Sequence, residues 1–131
     1  MKNKVLIVSE GNACRSQMAE GFINKYGGDK VEVFSAGARP LSEIDPLAIQ
    51  AMKESGIDIA GQKPKDFSGL PYKEFDYVVT MGCSDVCPFY PAKQKIDWAI
   101  EKPKESLEEY RKVRNQIQEK AKYFAQCFCQ L

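Results

Sequence analysis

Hydrophobic positions along this chain recur with the spacing of β-strands in some segments and with the spacing of α-helices in others. The two kinds of segment alternate. Four apolar stretches predict strands, at residues 5–8, 31–35, 77–81 and, more weakly, 95–98. Helical spacing predicts helices over residues 15–26 and 45–56, the second with Asp45 as its cap, and in a last segment that opens with a capping box at Ser106 and Glu109. This alternation predicts an α/β fold: a single three-layer domain over residues 1–131, with a four-stranded parallel sheet and helices on both faces.

The first predicted strand runs directly into a glycine-containing loop that opens the first helix, and residues 5–16 read V-L-I-V-S-E-G-N-A-C-R-S. N–H groups of such a loop point inward, the helix dipole adds partial positive charge, and an arginine supplies a planar fork for two anion oxygens. Parallel sheets bind ligands at this edge. The pattern predicts a phosphate-binding loop after the first strand, formed by Glu10, Gly11, Asn12, Ala13, Cys14, Arg15 and Ser16, with Ser9 at the strand's end.

Further motifs accompany this loop along the chain. They are Q-M-A-E-G-F at residues 17–22, S-A-G at 35–37, G-I-D-I at 56–59 and T-M-G-C-S-D-V-C-P at 80–88. Together they resemble the low-molecular-weight tyrosine phosphatase superfamily over nearly the whole chain, and most closely its thioredoxin-coupled arsenate reductase branch. The resemblance implies a low-molecular-weight phosphatase-like domain whose catalytic positions are Ser9, Arg15, Cys83 and Cys87.

The same resemblance implies a reaction and its partners. Arsenate is reduced to arsenite through a cysteine relay, with thioredoxin or a similar protein as electron donor. The resemblance implies no tightly bound cofactor, and it implies phosphate, sulfate or arsenate in the loop. It also implies a cation site at the positions of Asn12, Glu20, Ser35 and Lys65, where we expect the lysine ammonium to replace a bound potassium ion.

The nucleophile position departs from the family pattern, because the family has cysteine where this chain has Ser9. A serine hydroxyl is a weak nucleophile without a neighbouring base, and the sequence contains no histidine. Without sulfur at position 9 the relay cannot begin. Two interpretations stay open: a cysteine-to-serine change introduced to trap a complex, or a natural member whose chemistry has been lost or has moved.

The general-acid position departs as well, since Lys102 stands where the family places an aspartate before proline. Lysine is a poor proton donor at neutral pH, so Glu101 is the candidate general acid. Three functions therefore remain: an arsenate reductase-like enzyme, a tyrosine phosphatase with an impaired nucleophile, and a non-catalytic phosphate- or phosphoprotein-binding module.

The five cysteines are expected to have different roles. Cys83 and Cys87, followed by Pro88, predict a loop whose sulfurs pair on oxidation, with two half-buried thiols as the alternative. Cys14 is interpreted as a small buried side chain. For Cys127 and Cys129 we expect exposed thiols without function, and no metal site is predicted.

The composition of the chain limits the classes of partner that it can bind. The net charge of +1 and the lack of a basic stripe argue against nucleic acid, and no apolar run is long enough to cross a bilayer. We therefore expect a cytoplasmic monomer that binds a small oxyanion and a thioredoxin-like reductant, without membrane contact.

Overall fold

The computed structural model describes residues 2–81 and 91–128, with side chains up to residue 126. Cys83, Cys87 and Cys129 lie outside the described residues, and Cys127 lies in a helix without a described side chain. The elements are, in chain order, β1 (Asn3–Val8), α1 (Arg15–Gly27), β2 (Val31–Ala36), α2 (Pro46–Glu54), β3 (Phe75–Thr80), β4 (Ala92–Asp97) and α3 (Leu107–Phe128). Two short 3-10 helices occupy Gly28–Lys30 and Phe67–Gly69.

The sheet has four parallel strands in the order β2-β1-β3-β4, which confirms the predicted α/β fold. Val8, at the end of β1, pairs with Ala36 of β2 and Thr80 of β3, so three strands end at one edge. Because β1 lies between β2 and β3, the loop that follows it opens at the middle of this edge.

The last strand starts three residues earlier than the sequence predicts and ends before Trp98. Its sequence, A-K-Q-K-I-D, is largely polar because β4 is an edge strand with much of its surface exposed. The apolar pattern on which the prediction depended is therefore weak there. Trp98 still joins the sheet edge, since its N–H donates to the carbonyl of Thr80 at 2.8 Å.

Two apolar layers enclose the sheet. Val5 and Ile7 belong to a large cluster that includes buried side chains from all three α-helices. Leu6 and Val8, which alternate with them, belong to a smaller cluster on the other face, covered by the 3-10 helix Phe67–Gly69 and its flanks. The α-helices contribute to the cluster on one face, and the layer on the other face is a 3-10 helix with extended segments, so helices cover both faces only in this sense.

The helix boundaries follow local signals. The predicted capping interaction of α3 is present, since the Ser106 hydroxyl accepts from the N–H of Glu109 at 3.2 Å. Glu54 at the end of α2 ties that helix to α3 through Arg111 and Arg114. Within the described residues, no helix is long and apolar enough to cross a membrane.

Candidate functional site

The loop after β1 is held by its carbonyl groups. The carbonyl oxygens of Glu10, Gly11 and Ala13 accept hydrogen bonds from N–H groups of the segment that follows β2, at 2.9, 3.0 and 2.9 Å. Among residues 2–81 and 91–128, no acceptor pairs with the N–H groups of residues 10–15. The loop therefore has its carbonyls tied away and its amides left for a ligand, as an anion site requires.

These residues line a cavity of about 310 Å³. The lining comprises Ser9, Glu10, Gly11, Asn12, Ala13, Cys14, Arg15, Arg39, Leu41, Asp45 and Lys102. Three cationic side chains thus face two carboxylates, and one of those carboxylates, Glu10, pairs with Arg39 at 3.7 Å near the surface. The excess positive charge favours an anionic ligand.

Arg15 is fixed at the wall of this cavity. Its Nη1 donates to the carbonyl oxygens of Met81 and Ile100, at 2.8 and 2.7 Å. Burial lowers the pKa of the guanidinium from its ordinary value, but arginine stays charged in proteins. Two backbone anchors on one nitrogen hold the planar group in place and leave its other N–H groups for an anion.

Ser9 is buried at the end of β1, and its hydroxyl is not activated. Ser9 Oγ donates to Ser16 Oγ at 2.6 Å, and Asn12 Nδ2 donates to the same oxygen at 2.8 Å. In the described part of the chain, neither a carboxylate nor an amine bonds to the Ser9 hydroxyl. Ser16 therefore supports Ser9 and Asn12, while the N-cap of α1 is Cys14, which makes no side-chain cap.

A buried amide network fixes the shape of the loop at Asn12, whose φ is +50°. Asn12 Oδ1 accepts from the N–H of Lys65 at 2.9 Å and from Gln17 Nε2 at 3.0 Å. Gln17 is fully buried, and it also contacts Lys63 and Gln62. Gln17 was not among the predicted site residues. A glutamine next to the apolar face of the first predicted helix was the signal in the sequence that could have indicated a buried polar contact.

Cys14 lies in the loop but is not a replacement nucleophile. Its side chain belongs to the large apolar cluster and is 8% exposed. Burial raises the pKa of the thiol to about 12, and the negative charge of Asp45 adds to the rise. At neutral pH the group is a thiol, which matches its interpretation as a small buried side chain.

The segment around the predicted acid presents a different residue to the cavity. Lys102 lines the loop cavity, whereas Glu101 is exposed and lines a neighbouring cavity of about 320 Å³. The role of Glu101 as general acid stays a prediction.

Arg39 and Leu41 line the cavity but were not predicted from the sequence, and Asp45 was expected only as the cap of α2. The segment that carries them follows β2, which the topology places beside β1.

The side chain of Lys65 lies where the resemblance implied. Its Nζ is 3.3 Å from Ser35 Oγ, 3.4 Å from the carbonyl oxygen of Lys63 and 3.9 Å from Glu20 Oε1. Ser35 in turn donates to Glu20 Oε1 at 2.6 Å. The ammonium thus occupies a set of oxygens that suits a monovalent cation.

Potassium is expected to leave the thermal stability of the protein unchanged, because the Lys65 ammonium already neutralises Glu20. The measurement compares melting temperatures in potassium chloride and choline chloride at equal ionic strength. The Lys65→Met variant, which frees the oxygens, is expected to gain a dependence on potassium. A clear rise of the melting temperature of the unsubstituted chain in potassium would contradict this assignment.

Comparisons with known proteins match nearly the whole chain to one family. The low molecular weight phosphotyrosine protein phosphatase family matches residues 4–130. An arsenate reductase of Halalkalibacterium halodurans is 37% identical over 135 residues, covering 95% of this chain and 96% of that protein. A glutaredoxin arsenate reductase of Synechocystis sp. is 40% identical over 121 residues, covering 89% of this chain and 92% of that protein. The solved structure of an arsenate reductase in the phosphate binding state has a TM-score of 0.84 and 38% identity, covering 96% and 98%. The chain belongs to the low molecular weight phosphotyrosine protein phosphatase family.

Proposed function

We propose that this chain is an arsenate reductase-type member of the family, whose loop holds arsenate and whose Cys83 and Cys87 form the redox pair, with Ser9 in place of the cysteine that would start the reaction. The observation that carries the proposal is the cavity of about 310 Å³, where the anchored Arg15 and loop amides that have no acceptor among the described residues surround space for a tetrahedral anion. Relatives that align over nearly the full chain are named arsenate reductases, which supports the choice of oxyanion.

The relay needs sulfur at three positions. A thiolate at position 9 attacks the arsenic of arsenate, and hydroxide leaves. The Cys83 thiolate then attacks that sulfur, the sulfur–arsenic electron pair stays on arsenic, and arsenite departs. Cys87 displaces the first sulfur, and a dithiol reductant reduces the resulting Cys83–Cys87 disulfide. The two electrons that arsenic gains come from the two thiolates that become a disulfide.

With Ser9 in the first position, the protein binds the oxyanion but does not start this relay. An oxygen ester of arsenate offers Cys83 no sulfur to attack, so no disulfide forms and arsenic keeps its oxidation state. The hydrogen bond from Ser9 to Ser16, without a base, agrees with a silent hydroxyl. This observation also favours the second candidate, a phosphate- or phosphoprotein-binding module without catalysis.

A tyrosine phosphatase is less well supported by the cavity. Release of an alkoxide needs a proton donor beside the leaving oxygen. The side chain at the cavity wall in that segment is Lys102, and Glu101 faces the neighbouring cavity.

The reductant is a dithiol protein of the thioredoxin class. Exchange with a dithiol reduces a disulfide between Cys83 and Cys87 and returns both thiols in one cycle. Such reductants keep the cytoplasm reducing, and we place the protein there. Because one relative is named a glutaredoxin arsenate reductase, glutaredoxin with glutathione is the competing donor.

The binding half of the proposal is tested by calorimetry with arsenate. The unsubstituted chain is expected to bind arsenate, and Arg15→Gln is expected to weaken binding by about 10- to 100-fold, because a charge-assisted hydrogen-bond pair is lost. Arg111→Gln is the matched control, since Arg111 lies on α3 outside the cavity lining and the same change there should leave the affinity unchanged. No association with arsenate or phosphate would refute the proposal.

The redox half is tested on the oxidised protein. Thioredoxin with its reductase and NADPH is expected to consume one equivalent of NADPH per chain and to restore two thiols, and Cys83→Ser should abolish this. A parallel reaction with glutaredoxin and glutathione identifies the preferred donor. Arsenate binding without reducible disulfide would instead support the binding module.

A further inference from the structure

Asp45 is a carboxylate held on the wall of the anion cavity. Its Oδ1 accepts from the N–H of Leu47 at 3.0 Å, which caps α2, and its Oδ2 accepts from the hydroxyl of Tyr110 on α3. Its own N–H donates to the carbonyl of Ala13 in the loop at 2.9 Å. Contacts to two helices and to the loop therefore fix the carboxylate relative to the place of the anion.

This carboxylate has acceptor capacity left for a ligand. An ionised carboxylate offers about four lone-pair positions, and the described contacts use one on each oxygen. In residues 2–81 and 91–128, no lysine or arginine nitrogen lies within ion-pair distance of Asp45. Among loop amides and cationic side chains, Asp45 thus presents an acceptor to the cavity.

Tyr110 keeps the carboxylate in this role. The ring is buried, and burial together with the hydrogen bond to Asp45 raises the pKa of the phenol above its ordinary value. The phenol therefore stays a donor at neutral pH and orients one oxygen of Asp45. The other lone pairs are left to face a ligand.

We infer that Asp45 selects oxyanions that carry a proton, so that the cavity binds arsenate and phosphate and discriminates against sulfate. Arsenate and phosphate keep at least one O–H group at neutral pH, which donates to the carboxylate. Sulfate and selenate are fully deprotonated there, so an oxygen of either would meet Asp45 as one negative acceptor against another. The inference rests on the proposed function, because it concerns the specificity of the same site.

The experiment measures dissociation constants by calorimetry for two pairs of similar anions at neutral pH: phosphate with sulfate, and arsenate with selenate. The unsubstituted protein is expected to prefer the protonated member of each pair by about 10-fold or more, since one charge-assisted hydrogen bond is gained. Asp45→Asn is expected to reduce this preference to about 3-fold or less, mainly through tighter sulfate and selenate binding. Asparagine also caps helices well, and thermal unfolding verifies that the variant is folded.

Glu43→Gln is the matched control. It removes one negative charge from the same segment at an exposed position outside the cavity lining, and it should leave both preferences unchanged. Equal binding of the two members of each pair by the unsubstituted chain, which needs no variant, would overturn the inference. An unchanged preference in Asp45→Asn, or a loss of preference in Glu43→Gln, would do the same while leaving the proposed function intact. Failure of all four anions to bind would remove the proposed function itself.

Discussion

Ser9→Cys is expected to convert this protein from an arsenate binder into an arsenate reductase. With thioredoxin, thioredoxin reductase and NADPH, arsenite release should rise by on the order of 10³-fold or more, because removing a nucleophile costs enzymes at least that much. The assay measures arsenite directly and NADPH consumption in parallel.

The surroundings of position 9 explain why exchanging the Ser9 oxygen for sulfur is expected to be enough to give reductase activity. Position 9 is buried at the end of β1, beside the start of α1 and loop amides for which the described part of the chain supplies no acceptor. A thiol there is expected to have its pKa lowered from the ordinary value, because the start of a helix and a nearby arginine favour the thiolate. Ser16, which now accepts from Ser9, can turn its hydroxyl to donate to the thiolate.

Two double variants make this prediction specific to the relay. Ser9→Cys with Cys87→Ser should release one arsenite per chain and stop with a disulfide to Cys83. Ser9→Cys with Cys83→Ser should release none. If Ser9→Cys hydrolyses an aryl phosphate and leaves arsenate unreduced, the protein is a phosphatase, and if it turns over neither substrate, the binding module is the better description.

Gly37→Ala is expected to destabilise the protein and to impair anion binding together. A Cβ at this position would lie 2.6 Å from the carbonyl oxygen of Glu10 and 2.7 Å from that of Ser9, both of them backbone atoms at the base of the loop. The loop must shift to admit the methyl group, which costs about 1–3 kcal/mol for an overpacked site. We expect the melting temperature to fall by about 5 °C or more.

Gly61→Ala is the matched control for this substitution. A Cβ at Gly61 meets no atom within 4 Å, so the same chemical change should leave stability unchanged or raise it by up to about 1 kcal/mol. Thermal unfolding gives the stability of both variants, and calorimetry with arsenate gives their affinity, which should fall about 10-fold or more in Gly37→Ala because the loop amides are displaced. Equal melting temperatures for the two variants would show that the loop has more room than the structure indicates.

The loop was predictable from sequence because its information is local. Strand, glycine and arginine fall within twelve residues, and the periodic apolar pattern around them predicts the parallel sheet that places the loop at a ligand-binding edge. The start of β4 was not predictable, since an exposed edge strand made of A-K-Q-K-I-D has little apolar pattern to read.

The rest of the site depends on distant pairings. Arg15 is anchored by carbonyls 66 and 85 positions away along the chain, and Asp45 meets Tyr110 across 65 positions. Contacts between residues so far apart in the chain can be predicted only when the sheet order and the helix packing are known. Local spacing identified Asp45 as a helix cap, and it carried no sign that the same carboxylate lines the anion cavity.

The amide network around Asn12 has a consequence for the speed of recognition. Gln17, Gln62 and the backbone of Lys65 hold the loop in its strained shape through hydrogen bonds made entirely within the chain. The conformational entropy of ordering these residues is therefore lost during folding and not at the moment of encounter. Capture of the anion becomes a diffusional event on a rigid receptor, with an association rate limited by electrostatic approach and not by loop closure.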